Sequence, residues 1–417
     1  MQREYLTKLL GITGFTVVTV EIETVGRRSA AILTLEREEK LAVCERCGQK
    51  GDRIYPYRER EVQHLTLWQH LTILRVMQYR IVCPQCGWRV ERLPFVDRYD
   101  RVTRALAALV HELCKVMTVK AVALFLGLHR DTVKDMDKEA LEKLQKDRPL
   151  DGITTLGIDE IAIGKGHDYL HLVSALESPR GPEMLYVGEG RKEKDLTRFW
   201  KWFGKERAQQ LTHAVMDMWK GFIRSFKAHC PQIAIIYDKF HIIRHLLEAL
   251  NQVRKEVLRQ AGGTFRGLLV GKKFILLSRQ AHVRGKAREA LYMLLAMNTR
   301  LLKAYLLKEH FGHLWSYRSK TWARKFFYGW VESLKWSRLT PYKRFAAMIE
   351  KHLDGILAHC DKPVSLGFIE ASNLKARNVI RRAYGYRDKG YMKLKIIQAC
   401  TPWMNAFHPW SFCNNVS

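Results

Sequence analysis

The 417-residue chain contains no long apolar run. Its most apolar stretch, residues 290–307, is broken by Asn298, Arg300 and Lys303, well short of the roughly 18 apolar residues a membrane span needs. The N-terminal sequence Met1-Gln2-Arg3-Glu4-Tyr5 has nothing like the apolar core of a secretory signal, so the expectation is a cytoplasmic protein. Negative charge is scarce as well: 42 Asp and Glu stand against 71 Lys and Arg, a net charge of +29 with a pI near 9.8. That imbalance points to a polyanionic partner, most often nucleic acid, and to association with the nucleoid. Disorder is excluded by 47% hydrophobic and 11% aromatic residues. At about 150 residues per domain, the length predicts about two to four domains.

Cysteine is too sparse and too unevenly placed for a disulfide framework. Of nine, four form the pairs Cys44-Glu45-Arg46-Cys47 and Cys83-Pro84-Gln85-Cys86. In an intracellular chain, two such knuckles read as a metal site. Each aims two thiolates at one point, and together Cys44, Cys47, Cys83 and Cys86 complete a tetrahedral shell for Zn²⁺. They lie further apart than the usual spacing of about 15–20 residues. A β-hairpin built from strand-like stretches such as Leu71-Thr72-Ile73-Leu74-Arg75-Val76 would bring them together. The remaining five, Cys114, Cys230, Cys360, Cys400 and Cys413, suggest packing only.

Residues 1 to about 95 read as short strands, with 17–24 and 30–35 rich in β-branched and apolar side chains around a Gly26-Arg27-Arg28 turn. Residues 102–117 then keep Leu106, Leu109, Val110, Leu113 and Met117 on one helical face. Residues 118–134 read as a helix-turn-helix. Ala123 is small where two helices must approach, Gly127 permits the tight turn and Val133 points back into the core. Arg130, Thr132 and Lys134 would face a major groove; a plain helical hairpin is the alternative. A polar Pro- and Gly-containing linker at 146–152 marks a boundary. Beyond it come three strands in succession (154–163, 169–176 and 184–187), a helix at 194–203, a strand ending at Asp217, a helix at 219–228 and a strand at 232–237. From 240 to about 358 the pattern is helical. Residues 251–350 hold 21 basic and 5 acidic residues, with Trp315, Trp322, Trp330 and Trp336 among or just beside them. Basic residues interleaved with aromatics suit phosphate contact and base stacking, although each tryptophan fits a helical core equally well.

The candidates for chemistry are carboxylates. Asp159 in Gly157-Ile158-Asp159-Glu160 and Asp217 in Ala214-Val215-Met216-Asp217 sit at the edges of apolar strands, where an acid is costly unless it is paired or binds metal. Asp238 ends the next strand, with His241 three residues on; the bland role for Asp238 is a helix N-cap. Glu370 opens a basic helix containing Lys375, Arg377, Arg381 and Arg382. Arg377, two helical turns after Glu370, lies on nearly the same face and could grip a phosphate. Carboxylates collected from separate strands and one helix, in so basic a protein, suit Mg²⁺ or Mn²⁺.

Taken in order, the two CxxC knuckles, Gly157-Ile158-Asp159-Glu160, Val215-Met216-Asp217-Met218, Tyr237-Asp238-Lys239-Phe240-His241 and the tail from Ile369-Glu370 to Tyr384-Gly385-Tyr386-Arg387 form a set. That set resembles the DDE transposases of bacterial insertion sequences, in the branch joining a zinc finger and helix-turn-helix to a catalytic domain, the IS-L-three (ISL3) family. The resemblance implies a multidomain α+β protein: a zinc-ribbon-like β domain (1–97), a helix-turn-helix domain (98–150), a ribonuclease-H-like α/β catalytic domain (151–239 and 359–417) and a helical insertion (240–358). It implies Asp159, Asp217 and Glu370 as the magnesium-binding triad with Asp238 and His241 as an accessory pair, although Asp238 could exchange roles with Asp217. It also implies double-stranded DNA partners, with terminal inverted repeats recognised by the zinc knuckles together with Arg130, Thr132 and Lys134. Lys375, Arg377, Arg381, Arg382 and the basic helical segment would hold flanking and target DNA, in a homodimer or larger assembly. A DNA-binding regulator that no longer cuts is the alternative.

Overall fold

A computed structural model describes residues 3–98, 100–164 and 168–408; Cys413 lies outside them. The chain divides into two compact units, one made of residues up to Arg148 together with those from Tyr386 onward, the other of Pro149–Gly385.

In the first unit, β1 (Phe15–Val25) and β2 (Arg28–Arg37) form a hairpin. Its turn is made by Gly26 at φ 65°, a conformation glycine adopts without a Cβ clash. Two short strands, β3 (Ala42–Val43) and β4 (Lys50–Gly51), flank the first cysteine knuckle. A second hairpin joins β5 (Ile54–Leu67) to β6 (His70–Cys83), and β7 (Gly87–Val90) folds back on β6. The sheet order is β1-β2-β6-β5, with β2 and β6 parallel. Alternating residues of β6 (Leu74, Val76) meet Leu33, Val62 and Phe95 in the core, onto which the Arg3–Leu10 helix packs Leu6 and Leu10. Neither that first helix nor the 14-residue length of β5 was evident in the sequence pattern.

Helices Arg104–Val116, Val119–Leu126 and Arg130–Lys146 follow. Their cluster surrounds a fully buried carboxylate, Asp137. His111 Nδ1 lies 2.8 Å from one of its oxygens, while the Tyr391 hydroxyl (2.6 Å) and the Lys395 ammonium (3.1 Å) donate to the other. Tyr391 and Lys395 belong to the Lys389–Cys400 helix. The expected catalytic segment 359–417 therefore divides. Residues through Gly385 stay with the second unit, whereas from Tyr386 the chain joins the helix-turn-helix, because a buried carboxylate requires partners and these residues supply them.

The second unit holds a five-stranded sheet. Strands β8 (Thr155–Ala162), β9 (Tyr169–Glu177) and β10 (Glu183–Glu189) form the expected antiparallel meander. β11 (His213–Met216) then pairs in parallel with β8, and β12 (Ala234–Tyr237) with β11, giving the order β10-β9-β8-β11-β12. The Thr197–Phe203 and Lys220–His229 helices bury Phe199, Trp200, Phe203, Phe222 and Phe226 with the sheet residues Ile158, Val173 and Ala214. A separate cluster joins Leu176, Val215 and Ile236 to Ile369 of the Gly367–Arg382 helix. Between β12 and that helix the described chain is wholly helical and has its own core, centred on the Lys239–Gln260 helix with Phe311, Phe327, Trp330 and Tyr342. Trp330 is fully buried and donates to the Leu307 carbonyl at 3.0 Å, so it is core; Trp322 and Trp336 are exposed.

Replacing Asp137 with Ala leaves Lys395 and His111 without their buried counter-charge. The expected loss is about 3–5 kcal/mol, as for other broken buried pairs. It would be read as an earlier urea transition of the first unit, with the second unit's transition unmoved.

Candidate active site and metal centre

Each cysteine pair sits at the tip of a β-hairpin. In the first, the Cys44 N–H donates to Gln49 O (2.8 Å) and the Gly48 N–H to Cys44 O (3.0 Å), with Gly48 at φ 77°. In the second, Cys83 pairs with Gly87 (φ 69°) across β6 and β7. The long β5–β6 hairpin spans the unusual spacing and returns the second knuckle to the first, as expected of a hairpin between them. All four Sγ atoms lie within 4.8 Å of one another, and Cys47 and Cys83 are 3.4 Å apart without a disulfide. A Zn–S bond of about 2.3 Å implies an S···S edge of about 3.8 Å in a tetrahedron, so the donor set fits zinc. Burial raises the Cys83 thiol, but N–H groups of Gln85 and Cys86 and the neighbouring thiols bring it down to about 7. A thiolate is the form that binds metal.

In the helix-turn-helix, Thr118 caps the first helix by accepting from the Ala121 N–H at 3.2 Å. Gly127 ends that helix at φ 68°, and His129 caps the second. Val133 is fully buried as expected; Arg130 and Thr132 are exposed, while Lys134 is half-buried and pairs with Asp135 at 3.0 Å. At 100° per residue, Arg130 and Lys134 share a face and Thr132 points away from both.

The parallel register decides where the acids lie. Val215 pairs with Gly157, and Met216 with Tyr237. Asp159 thus stands in the middle of β8, level with Asp217 just past β11 and Asp238 just past β12, because β8 runs on to Ala162 while its two parallel neighbours stop. Burial pushes the Asp217 carboxyl up to about 6; the Trp219 N–H and His241 oppose the shift, and the charges of Glu160 and Asp159 add to it. The Trp219 N–H donates to Asp217 at 3.0 Å. Asp238 accepts from the Phe240 N–H (2.7 Å) and lies 3.0 Å from His241 Nδ1, so it is a helix cap and a histidine partner together. That hydrogen bond raises the His241 imidazole, which also feels Asp159 and Asp217.

Glu370 arrives on the Gly367–Arg382 helix. This helix comes close to β8 because Gly157 has no side chain: a Cβ there would lie 2.9 Å from Ile369 Cδ1. Asn373, one turn after Glu370, donates to Asp159 at 2.5 Å. The Glu370 carboxyl is raised by burial and by the Asp238 charge. Among the described residues only the four cysteines gather donor atoms within 4.8 Å; Asp159, Asp217 and Glu370 do not close that tightly. Lys375, Arg377, Arg381 and Arg382 are exposed along the same helix.

Three family models match in chain order: the zinc finger of the IS204/IS1001/IS1096/IS1165 transposases over residues 40–86, the helix-turn-helix of ISL3 transposases over 91–141, and the ISL3 transposase itself over 156–396. The last spans more than half of the chain. The chain is an ISL3-family transposase. It is 32% identical over 400 residues to the transposase of insertion sequence IS1001 from Bordetella parapertussis, covering 95% of this chain and 98% of that one. It is also 25% identical over 422 residues to the IS1557 transposase of Mycobacterium tuberculosis, covering 91% of each. The zinc-finger match encloses all four clustered cysteines, so this ISL3 transposase carries a zinc site, and its helix-turn-helix is a DNA-binding module. No described helix is long and apolar enough to cross a membrane.

Three polar residues around the acids escaped the sequence reading. Asn373 was findable, since it lies three positions from Glu370 on one helical face. Glu160 and Arg191 carry no local signal. Arg191 pairs with Glu160 at 3.2 Å, and its guanidinium lies 4.4 Å from the Tyr169 ring and 4.3 Å from Trp219. Its carbonyl accepts the Trp219 indole N–H at 2.7 Å. Arg191 therefore links the residue after Asp159 to the turn that holds Asp217.

The raised Asp217 carboxyl gives this transposase a signed pH dependence. A folded-state value above the ordinary 3.8 means that unfolding favours ionisation, so stability falls as pH rises from about 4 to about 6 and stays lowered above that. Asp217→Asn keeps the acceptor for Trp219 and removes the charge. In magnesium-free buffer its melting temperature should match wild type at pH 4 and exceed it at pH 8.

Proposed function

We propose that the catalytic unit is a ribonuclease-H-like domain, interrupted by the helical segment after β12, which cuts DNA at the ends of its element and joins them to target DNA. The observation that carries this reading is the shared level on β8, β11 and β12, where Asp159 and Asp217 stand side by side beneath the Glu370 helix docked over Gly157. The order β10-β9-β8-β11-β12, three antiparallel strands followed by two parallel ones, supports the fold assignment.

Asp159, Asp217 and Glu370 would hold divalent magnesium or manganese. All-oxygen donors suit a hard cation, and the mutual repulsion of Asp159, Glu160 and Asp217 is what such an ion relieves. When bound, the metal supplies activation of the attacking oxygen and stabilisation of the leaving one. The protein's own part is positioning. Asn373 fixes one oxygen of Asp159 and the Glu160 N–H (2.8 Å) fixes the other, while the Trp219 N–H orients Asp217. Asp238 and His241 form the accessory pair, with Asp238 oriented by its own helix and His241 contributing positive charge beside the acids. Asp217 is preferred over Asp238 as the second acid because β11 is the strand adjacent to β8 and because Asp217, unlike Asp238, has its N–H partner in a turn rather than in a helix it must cap. Lys375, Arg377, Arg381 and Arg382 would neutralise flanking and target phosphates. Arg130, Thr132 and Lys134 would read the terminal repeats in double-stranded DNA. Two ends must be processed together, which calls for at least a homodimer, and the DNA substrate implies work at the nucleoid.

Incubation of the protein with labelled terminal-repeat DNA and Mg²⁺ tests this reading. Wild type should cleave at the repeat end. Asp159→Ala, Asp217→Ala and Glu370→Ala should each lose at least about a hundredfold in rate, equivalent to about 2.7 kcal/mol of barrier, with repeat binding retained. Asp238→Ala should keep partial activity; full activity in Asp217→Ala with none in Asp238→Ala would reverse the two roles. Tight repeat binding without cleavage in wild type would favour a regulator.

A further inference from the structure

Beside the zinc knuckle, the first unit has an open cleft of about 540 Å³ whose walls carry Arg46, Arg60, Arg89, Arg92 and Arg98. Three carboxylates also line it, and each is already engaged. Glu91 is almost fully buried and accepts from both Arg37 (2.7 and 2.8 Å) and the Tyr79 N–H (2.7 Å). Glu45 pairs with Arg98 at 3.2 Å, and Asp97 with Arg104 at 2.6 Å. Among the described residues no carboxylate lies in ion-pair range of Arg46, Arg89 or Arg92. Arg60 donates to the Asp100 carbonyl at 2.5 Å, and its guanidinium is pushed down by burial and by the like charge of Arg58. The cleft therefore concentrates positive charge that the protein does not itself neutralise, an arrangement that favours an anion.

A second, independent feature adjoins it. Gln78, on the cleft wall, accepts from Arg58 Nε at 3.0 Å. The Arg58 guanidinium lies 5.5 Å from the Tyr57 ring, and that of Arg80 4.4 Å from the same ring. Tyr57 is exposed, as are Tyr55 and Trp88, whose rings pair at 5.1 Å. Exposed aromatics braced by arginines on long, paired strands form a surface with both charge and rigid apolar area. A small free anion would use only the charge, whereas a nucleic-acid strand presents a row of phosphates with sugars between them.

Resting on the DNA-binding reading above, we propose that this face of the zinc module, Arg46, Arg60, Arg89 and Arg92 with Tyr57 at its rim, is a second contact to the DNA phosphate backbone, separate from the helix-turn-helix. It contributes affinity and not sequence choice, because phosphates are the same at every base pair.

The test uses the full-length protein with Arg46, Arg89 and Arg92 all changed to Gln, and measures duplex binding by fluorescence anisotropy over a range of salt. Each phosphate contact contributes about 0.9 to the slope of log K against log salt, so the slope should fall by about 2–3. Affinity at about 0.1 M salt should drop at least about tenfold, equally for terminal-repeat and unrelated duplexes, at unchanged zinc content. The triple Arg→Lys variant should recover most of the slope. An unchanged slope in the Gln variant would overturn the proposal, as would a loss confined to the terminal repeat. A Lys variant as weak as the Gln variant would mark the loss as structural and overturn it too. Titration with inorganic phosphate separates the remaining case, since phosphate binding at the cleft without any change in the DNA slope identifies a small-anion site. Wild-type protein that binds neither duplex would sink the proposed function itself, and this contact with it.

Discussion

The catalytic unit depends on repulsion between carboxylates that the backbone forces together. Parallel pairing of β8, β11 and β12 brings Asp159, Asp217 and Asp238 to one level of the sheet whatever their side chains prefer. Burial then makes their ionisation costly, as the raised Asp217 carboxyl records. Everything nearby answers that cost. Backbone N–H groups of Glu160, Trp219 and Phe240 each take one carboxylate oxygen, His241 brings positive charge, and Asn373 brings a neutral donor. These partners reduce the repulsion without cancelling it, and they leave the acids fixed in orientation. Such an arrangement carries a stability cost in the protein alone, and in the function proposed above it would leave ligands already in place for a divalent cation and a phosphodiester.

Glycine sets the distances in this arrangement. A side chain at Gly157 would meet Ile369 and hold the Glu370 helix away from β8. Gly221 does the same for the Arg191 strut, since a Cβ there would lie 2.9 Å from the Arg191 carbonyl. In both cases the requirement is close approach of two elements and not an unusual backbone angle.

How much of this was legible in the sequence follows from the range of each interaction. The cysteine knuckles were legible because CxxC is a local turn whose chemistry is complete once a hairpin pairs the two ends. The helix-turn-helix was legible because Gly127 and Val133 act within a dozen residues. Asp159 and Asp217 were visible as acids in apolar strands, and their partnership needed only the order of the strands. Arg191 was not legible, because its roles join residues 31 and 28 positions away. The tryptophans show the same limit from the other side. Trp330 and Trp336 lie in equally basic sequence, yet Trp330 is core on the Lys320–Glu332 helix while Trp336, in the turn beyond that helix, is 88% exposed. Spacing alone did not show where the helix stops or which of its faces is covered.

The division of the C-terminal segment has a consequence for folding. Asp137 lies in the helix that carries Arg130, yet two of its three partners are Tyr391 and Lys395. A carboxylate buried with His111 alone retains one hydrogen bond where the finished protein supplies three, and a buried charge with incomplete partners is destabilising. The Lys115 ammonium similarly bonds both Glu112 and the Ala406 carbonyl, at 2.7 and 2.8 Å, and the His408 N–H completes Glu112. The DNA-binding unit thus cannot satisfy its interior until the last described residues of the chain have been made, after the whole catalytic unit. Its core of apolar helices forms locally, but its buried charges are neutralised only in the complete protein. A truncated chain ending after the Gly367–Arg382 helix would keep the Arg130–Lys146 helix in sequence while losing the contacts that hold it in its native packing.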